Sequence, residues 1–297
     1  MVYVGVILAL CAACTHAAWA LSSAPLATLR SSSVVFASSV VAFTLLTPVI
    51  LVVYGSRLFP VTAEQEIWYL GSIIINLAYL LAMQTTYKLG SAAYVYPLAR
   101  GSSPIFVACL SLIFLSLRLS VLGIVGLVLI LAGVGIASWS ALSHRPDDAR
   151  PSTMSAPAAA LVTGLLIASC SLWDQHAIGS AGIEPLVLIW VDNAGRVLAL
   201  SPLLRSAGVR ADLGRAWRTQ RRSLLIVCAT MDIPYVFYLY ALSSAPAVLV
   251  SPVRELSVIL VVLFSRSHKA MAKIFYLQIF SVFLFIAGAI LMSLQFV

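Results

Sequence analysis

The chain has 297 residues, of which 62% are hydrophobic and 9% are charged, and its mean hydropathy is +1.04. A soluble domain carries roughly 25% charged residues, so this composition excludes the soluble globular classes and indicates an integral membrane protein. The net charge of +8 does not indicate a nucleic-acid partner, because the basic residues are spread over the loops between apolar segments.

Ten apolar segments are long enough to cross a membrane as helices, at about 20 residues per crossing. They cover residues 3–22, 33–54, 66–87, 90–115, 120–141, 157–180, 185–204, 222–242, 244–265 and 273–295. The odd-numbered loops hold thirteen lysines and arginines, many of them in a basic loop over 205–222 beside the lipid, and the even-numbered loops hold two. By the positive-inside rule we expect a multi-pass protein of the inner or plasma membrane, with both termini outside the cytoplasm.

The first segment has the length of a signal peptide but lacks its basic start, because the first lysine or arginine of the chain is Arg30. Its apolar run also carries His16 and Trp19. We therefore expect a retained membrane helix, in which His16 either hydrogen-bonds to a neighbouring helix or lines a cavity.

The fourth segment carries Arg100 between two prolines, Pro97 and Pro104. The ninth segment repeats the combination of a proline and an arginine at Pro252 and Arg254. A charge at bilayer depth is unfavourable by at least a few kcal/mol unless it is paired or hydrated, so both arginines are candidate functional residues.

A polar, proline-rich linker over residues 143–156 separates five predicted helices from five. We interpret 1–142 and 157–297 as two five-helix repeats. An odd number of helices per repeat turns the second copy upside down, which gives an inverted-topology repeat. Both halves end in runs of small residues, at 131–136 and 286–290, which allow close helix packing.

Buried acids are confined to the second half. The acidic residues inside predicted helices are Asp174, Asp192, Asp232 and Glu255. Ionisable residues at such positions face a bundle interior or an aqueous cavity, so each is a candidate. Asp192 lies four residues before Arg196, which is also the spacing of an intrahelical ion pair without a functional role.

Asp174 follows Trp173 in a polar stretch of the sixth segment, where a substrate or proton role and an interhelical structural bond are both open. Asp232 precedes Pro234 by two residues. Because proline lacks an N–H, it predicts a local opening of the helix there, with Asp232 lining a site.

Aromatic residues are dense near these charges. Those predicted to face a cavity are Tyr94, Tyr96, Trp173 and Tyr235. An aromatic wall beside a carboxylate suits an amine through cation–π attraction, although tyrosine and tryptophan also collect at membrane interfaces.

Arg254 and Glu255 are adjacent and therefore about 100° apart on a helix, so they do not readily satisfy each other. Arg100 is the natural partner for Glu255 across the two halves. The pair is either part of a binding site or a static clamp between the halves.

The sequence contains no P-loop, no HExxH and no GxSxG motif, so it supports neither ATP-driven transport nor the common hydrolases. The five cysteines fall inside predicted spans, where they behave as small apolar residues. We expect no cofactor, no metal site and no enzymatic activity.

The chain resembles the drug/metabolite transporter superfamily, in particular its EamA-like branch of ten-helix transporters and a subgroup associated with phosphonate utilisation. The resemblance rests on residues 96–104, 172–174 and 252–258 and on the small-residue ends of both halves. EamA repeats commonly carry a Gly-Glu pair near the end of the fourth and ninth helices. This chain lacks both pairs, at 115–119 and 264–268.

The resemblance implies a secondary transporter that moves a small polar metabolite, such as an amino acid or amine, by alternating access. We expect the fourth and ninth helices to be broken near their prolines and to line the cavity. The predicted substrate-binding residues are Tyr96, Arg100, Trp173, Asp174, Asp232, Tyr235, Arg254 and Glu255.

Coupling to protons is predicted at Asp174, Asp232 or Glu255, since burial disfavours an isolated negative charge. The expected partners are the substrate, membrane lipids, protons and a second copy of the chain in a homodimer. A flippase for a lipid-linked or amphipathic substrate and a membrane-embedded enzyme are the alternatives.

Overall fold

The computed structural model describes residues 1–22, 26, 29–58, 60–89, 92–114, 119–143, 155–264 and 271–294. All regular structure in these residues is helical, so the prediction of an all-α membrane protein is confirmed. The α-helices are α1 (Val2–Ser22), α2 (Ser31–Tyr54), α3 (Ala63–Leu89), α4 (Ala92–Phe114), α5 (Val121–Ser143), α6 (Ala156–Gly179), α7 (Pro185–Leu200), α8 (Ala207–Thr219), α9 (Arg221–Thr230), α10 (Ile233–Leu242), α11 (Ala247–Phe264) and α12 (Met271–Leu294). Short 3-10 turns follow α2 and α7, at Gly55–Arg57 and Ser201–Arg205.

In the described part of the chain, six helical stretches are long and apolar enough to cross a membrane. They are Val2–Ser22, Ser32–Tyr54, Ala63–Met83, Ala156–Gly179, Pro185–Arg205 and Arg221–Leu242. Shorter apolar helices cover Leu98–Phe114, Val121–Gly133 and Ile279–Met292. These stretches overlap nine of the ten predicted segments, and α11 lies in the remaining one, the ninth. The exact number of crossings stays a prediction. Most of the predicted linker, residues 144–154, and the glutamate-free positions 115–118 and 265–268 lie outside the described residues.

The distribution of apolar and polar side chains between surface and interior is the reverse of that in a soluble protein. Large apolar side chains point outward, as in Val52 at 85% exposure and Leu198 at 74%. Charged and amide side chains are buried, with Asp192 and Asn193 both at 0%. Lipid solvates an apolar surface, so the protein interior is where polar groups find partners.

Helix α8 was not predicted, because residues 205–222 were expected to be only a basic loop. Its alanine, leucine and arginine content favours a helix. Val209, Asp212 and Ala216 lie three and four residues apart and are buried on one face. Asp212 attaches this face to the α1–α2 connection, because its Oδ2 lies 3.5 Å from Arg30 Nε and accepts from the Arg30 backbone N–H at 3.3 Å.

The eighth predicted segment is two helices, α9 and α10, with a turn at Met231 and Asp232 between them. Pro234 lies in the first turn of α10, where its missing N–H has no intrahelical acceptor to lose. The predicted opening beside Pro234 is confirmed. It presents Asp232 at the N-terminus of α10, where the helix dipole favours a negative charge.

The expectation of breaks in the fourth and ninth segments was wrong. Helix α4 is continuous from Ala92 to Phe114, and α11 is continuous from Ala247 to Phe264 with Pro252 inside it. A proline removes one backbone hydrogen bond, and neighbouring helices and side chains can satisfy the freed carbonyl. These two helices therefore present their charged residues on regular helical faces.

The first five helices pack extensively against the later ones. Helix α1 contacts α10 and α11, α2 contacts α7, α3 contacts α6 and α7, α4 contacts α6 and α11, and α5 contacts α12. The largest buried apolar cluster accordingly draws on both parts of the chain, for example through Val107 and Leu127 with Leu239 and Val250.

Helices α5 and α12 cross at two glycines, Gly126 and Gly288. A Cβ at Gly126 would lie 2.7 Å from the backbone N of Met292, and one at Gly288 would lie 2.6 Å from the carbonyl O of Gly126. Such distances leave room for hydrogen alone, so the two backbones touch. Of the two predicted small-residue runs, the one containing Gly288 lies at this crossing, whereas a Cβ at Gly135 would meet nothing within 4 Å.

Candidate functional site

The arginine cluster consists of Arg100, Arg254 and Glu255 with two neighbours, His16 and Tyr238. It lies where α4 packs against α11. Arg100 Nη1 donates to Glu255 Oε1 and Oε2 at 3.1 and 3.4 Å, and Arg254 Nη2 donates to Oε1 at 3.3 Å. The predicted contact between Arg100 and Glu255 is therefore present, and the Glu255 side chain is 1% exposed. The expectation that Arg254 and Glu255 do not satisfy each other was wrong, because the long arginine side chain reaches the neighbouring carboxylate.

The two charges of this contact occupy equivalent places on their helices. Arg100 follows Pro97 by three residues, and Glu255 follows Pro252 by three. Counted from the prolines, the position equivalent to Arg100 is Glu255, whereas Arg254 is one residue earlier. Opposite charges at equivalent positions of two packed helices can meet in a single ion pair.

His16 and Tyr238 complete the arginine cluster from α1 and α10. Arg100 Nη2 lies 3.2 Å from His16 Nε2. A guanidinium only donates, so this contact is a hydrogen bond when Nε2 carries no hydrogen. The guanidinium carbon of Arg254 lies 3.9 Å from the centre of the Tyr238 ring, in cation–π contact.

The carboxylate cluster consists of Asp174, Asp192 and Asp232 with Arg196, Tyr235 and three neutral polar residues, Ser72, Asn76 and Asn193. Ser72 Oγ lies 3.0 Å from Asp174 Oδ1 and 3.2 Å from Asp192 Oδ2. The Tyr235 hydroxyl donates to Asp174 Oδ2 at 2.6 Å, and Asn76 Nδ2 donates to Asp192 Oδ2 at 3.3 Å. Helices α3, α6, α7 and α10 thus meet at these two carboxylates.

Asp232 is the member of the carboxylate cluster that has a cation. Arg196 Nη1 lies 3.8 Å from Asp232 Oδ1, and Asn193 Nδ2 donates to Asp232 Oδ2 at 2.5 Å. The intrahelical pair considered for Asp192 and Arg196 does not form, because the break before α10 brings Asp232 to Arg196 instead. Within the described residues, neither Asp174 nor Asp192 has an ion-pair partner.

Two tyrosines join the clusters. Tyr235 and Tyr238 lie one turn apart on α10, with ring centroids 6.2 Å apart and an interplanar angle of 20°. Tyr235 contacts Asp174, and Tyr238 contacts Arg254. With every acid ionised, the carboxylate cluster carries three negative charges and one positive, and the arginine cluster carries two positive and one negative. A net negative charge therefore lies on the Tyr235 side of the tyrosine pair, and a net positive charge lies on the Tyr238 side.

The predicted residues Trp173 and Tyr96 differ from the rest. The Trp173 indole packs against Gly71 and Trp68, 4.5 Å between ring centroids for the tryptophan pair, and its N–H donates to the Trp68 carbonyl at 2.9 Å. Trp173 therefore ties α6 to α3 beside Asp174. The side chain of Tyr96 lies outside the described residues, as does that of Tyr94.

A cavity of about 540 Å³ opens at the ends of helices α4, α6, α10 and α11. Its polar lining comes from Ser111, Gln175, His176, Ser180 and Ser243. Its described walls belong to neither cluster. Gln175 also accepts from the backbone N–H of Ala247 at 2.8 Å, which fixes the turn between α10 and α11 beside the cavity.

Sequence reasoning missed Ser72, Asn76, Asn193 and Tyr238. Ser72 and Asn76 are four residues apart, a spacing that places two polar side chains on one face of an apolar helix. That spacing was the available signal. In the described residues, no group of three histidine, cysteine, aspartate or glutamate side chains is arranged to hold a metal ion.

Comparison with known proteins agrees with this architecture. Residues 3–139 match the EamA-like transporter family. Among solved structures 23 chains match, and one crystal structure of a protein superimposes with a TM-score of 0.73 at 16% identity, covering 98% of this chain and 96% of the other. At that identity the likeness shows the fold alone. The search of curated proteins gave no significant match.

The family match indicates a class of protein for the first five helices, and the solved structure adds the fold. EamA-like proteins are transporters and not enzymes, and they lie in the membrane as multi-helix proteins. The chain carries this family's domain over its first five helices, and its fold matches a solved structure over nearly its whole length. Over residues 3–139 the chain is therefore similar to the EamA-like transporter family.

Proposed function

We propose that this protein is a secondary transporter that moves a small zwitterionic or amine-bearing metabolite by alternating access. One observation carries the proposal, namely the opposite excess charges of the arginine and carboxylate clusters on either side of Tyr235 and Tyr238. A substrate carboxylate would bind the guanidinium side, and a substrate ammonium would bind the aspartate side. An amino acid carries both groups.

An inverted repeat would supply the moving parts. Most contacts between the two halves occur in equivalent pairs when α9 and α10 are counted as one segment. The contact between α3 and α6 corresponds to the one between α1 and α10, and the contact between α4 and α6 corresponds to the one between α1 and α11. Further contacts join a helix to its own equivalent in the second half, namely α2 to α7, α4 to α11 and α5 to α12. A pseudo-two-fold axis in the membrane plane relates such pairs in inverted-repeat transporters.

The proposed orientation places both termini outside the cytoplasm. Arg30 and α8 come from two predicted cytoplasmic loops, and the Arg30–Asp212 contact joins them at one end of the bundle. The cavity between α6 and the α10–α11 turn is at the ends of two predicted outer loops. In this orientation the cavity opens to the outside and leads towards Gln175, the residue after Asp174.

Proton coupling belongs to the same proposal, and the geometry ranks its candidates. Glu255 contacts two guanidiniums, and Asp232 contacts Arg196. Asp174 contacts only neutral donors in the described residues. Burial without a cation in contact favours a bound proton, so we favour a coupling site that includes Asp174 over one at Asp232 or Glu255.

Counterflow in proteoliposomes tests the proposal. Vesicles loaded with an unlabelled mixture of neutral amino acids should accumulate one of the same amino acids in radiolabelled form, and vesicles loaded with sugars should not. Arg254→Gln and Asp174→Asn should each abolish accumulation, while Glu64→Gln, at an exposed position in the first turn of α3, should leave it unchanged. Absence of counterflow for every amino acid and amine, with protein of native helix content, would refute the proposed substrate class.

A further inference from the structure

Asp174 and Asp192 share a single hydroxyl. Ser72 Oγ lies 3.0 Å from an oxygen of Asp174 and 3.2 Å from an oxygen of Asp192. A serine hydroxyl has one hydrogen, so it can donate to only one of these carboxylates at a time. The other carboxylate then faces the lone pairs of Ser72, which is a favourable contact only when that carboxyl group itself carries a hydrogen.

The other hydrogen-bond donors nearby do not supply the missing hydrogen. The Tyr235 hydroxyl is directed to Asp174 Oδ2, and Asn76 has two amide hydrogens for three acceptors, on Ser72, Asp192 and Tyr235. In the described part of the chain Asp192 Oδ1 accepts no hydrogen bond, although the residue is 0% exposed. A buried ionised oxygen without a donor is strongly unfavourable.

The surrounding charges also leave the pair unneutralised. The ionisable groups that face it are Cys170 on α6, Arg196 on α7, Asp232 and Tyr235 on α10, and Arg254 on α11. Arg196 is in ion-pair contact with Asp232, and Arg254 is in contact with Glu255. Two adjacent carboxylates therefore lie in the protein interior without a cation of their own.

We propose that Asp174, Ser72 and Asp192 form a binding site for one exchangeable proton. The proton resides on Asp192 Oδ2 and is donated to Ser72 Oγ, while the hydrogen of Ser72 is donated to Asp174 Oδ1. Each of the two oxygen–oxygen contacts along this line then has one hydrogen, and the pair carries one negative charge instead of two. The proton comes from water and returns to water, so no other reactant is needed.

Occupancy of the site would change the contacts among three helices. With the proton bound, α3, α6 and α7 are linked by a continuous line of hydrogen bonds through Ser72. Without it, Ser72 can serve α6 or α7 but not both, and the two carboxylates repel each other. As the coupling site of the transporter this inference rests on the proposed function, whereas proton binding itself can be measured without any substrate.

Infrared spectroscopy of the purified full-length protein tests the site directly. With isotope-labelled aspartate, the wild-type protein should show a protonated-carboxyl C=O band that disappears as the pH is raised. The band should be lost in Asp192→Asn and retained in Asp232→Asn. Ser72→Ala should shift its frequency because the acid loses its acceptor, and Ser72→Thr, which keeps the hydroxyl, should not.

Three results would overturn the inference. The first is a wild-type protein without this band at every pH at which it keeps its helix content. The second is a band that survives in Asp192→Asn or is insensitive to Ser72→Ala. The third is a band abolished by sodium chloride but not by choline chloride, which would make the occupant a sodium ion. Should Asp192→Asn not fold, the wild-type titration and the two Ser72 variants still decide the matter.

Failure of the site and failure of the proposed function give different results. A protein with the band whose counterflow is absent or whose uptake ignores a pH gradient keeps the proton site and loses the coupled-transport function. A protein without the band that performs counterflow keeps the transport function and loses the site.

Discussion

Replacement of Glu255 by glutamine disrupts the Arg100–Glu255 ion pair, which is the most completely buried one among the described residues. Glu255 accepts from Arg100 and from Arg254, and its side chain is 1% exposed. The substitution preserves shape and removes the negative charge that both guanidiniums contact. Removal of one partner from a buried ion pair lowers stability by about 3–5 kcal/mol, because the other charge stays buried.

The size of the effect should depend on which partner is removed. In Arg100→Gln, Glu255 keeps its contact with Arg254, so the loss of stability should be smaller than in Glu255→Gln. Either substitution alone already breaks the ion pair between Arg100 and Glu255, so the second substitution cannot break it again. The double variant should therefore be destabilised by less than the sum of the two single variants, with a coupling energy of about 1–3 kcal/mol.

Unfolding titrations with a denaturing detergent, followed by helix content, measure these differences. Glu64→Gln is the matched control, because Glu64 is exposed and its replacement should change the free energy of unfolding by less than about 0.5 kcal/mol. Additive losses for Arg100→Gln and Glu255→Gln, or a loss in Glu255→Gln no larger than that of the control, would refute the reasoning.

Three other variants test separate parts of the fold. Gly126→Ala should lower the free energy of unfolding by about 1–3 kcal/mol, because its Cβ would overlap the backbone of α12. Gly135→Ala is the control, because its Cβ would lie in open space and should leave the free energy of unfolding unchanged. Equal effects of the two substitutions in detergent unfolding would contradict the crossing. Tyr235→Phe removes the donor to Asp174 and should raise the half-saturating substrate concentration in counterflow, and an unchanged value would separate this hydroxyl from binding. Asp212→Ala should release α8, which hydrogen exchange would detect as faster exchange confined to Ala207–Thr219 at a loss of about 1 kcal/mol or less.

Features set by local composition were predictable. Apolar segment lengths located the membrane helices, because each crossing must satisfy its own backbone within one helix. The contact between Arg100 and Glu255 was also predictable, since a buried charge needs a partner. The accompanying expectation that Arg254 and Glu255 would not reach each other was wrong. Pro234 located the break between α9 and α10, because proline lacks the N–H of a helix interior.

Features set by packing were not predictable. Spacing along α7 favoured an Asp192–Arg196 pair, but the choice of Asp232 depends on where the α9–α10 break lies in space. Ser72 and Asn76 are ordinary residues of a membrane helix until α3 packs against α6 and α7. Helix α8 was missed because positive charge dominated its sequence, while the buried face that stabilises it needs the α1–α2 connection as a partner.

The glycine crossing of α5 and α12 limits how the two halves can move relative to each other. Where backbone touches backbone at Gly126 and Gly288, neither helix can slide along the other without collision, but both can tilt about the contact. The crossing is therefore the point about which the two helices can pivot. Spin labels placed near Gly126 and Met292 should keep a constant separation during the transport cycle, and labels at the far ends of the two helices should report the largest changes.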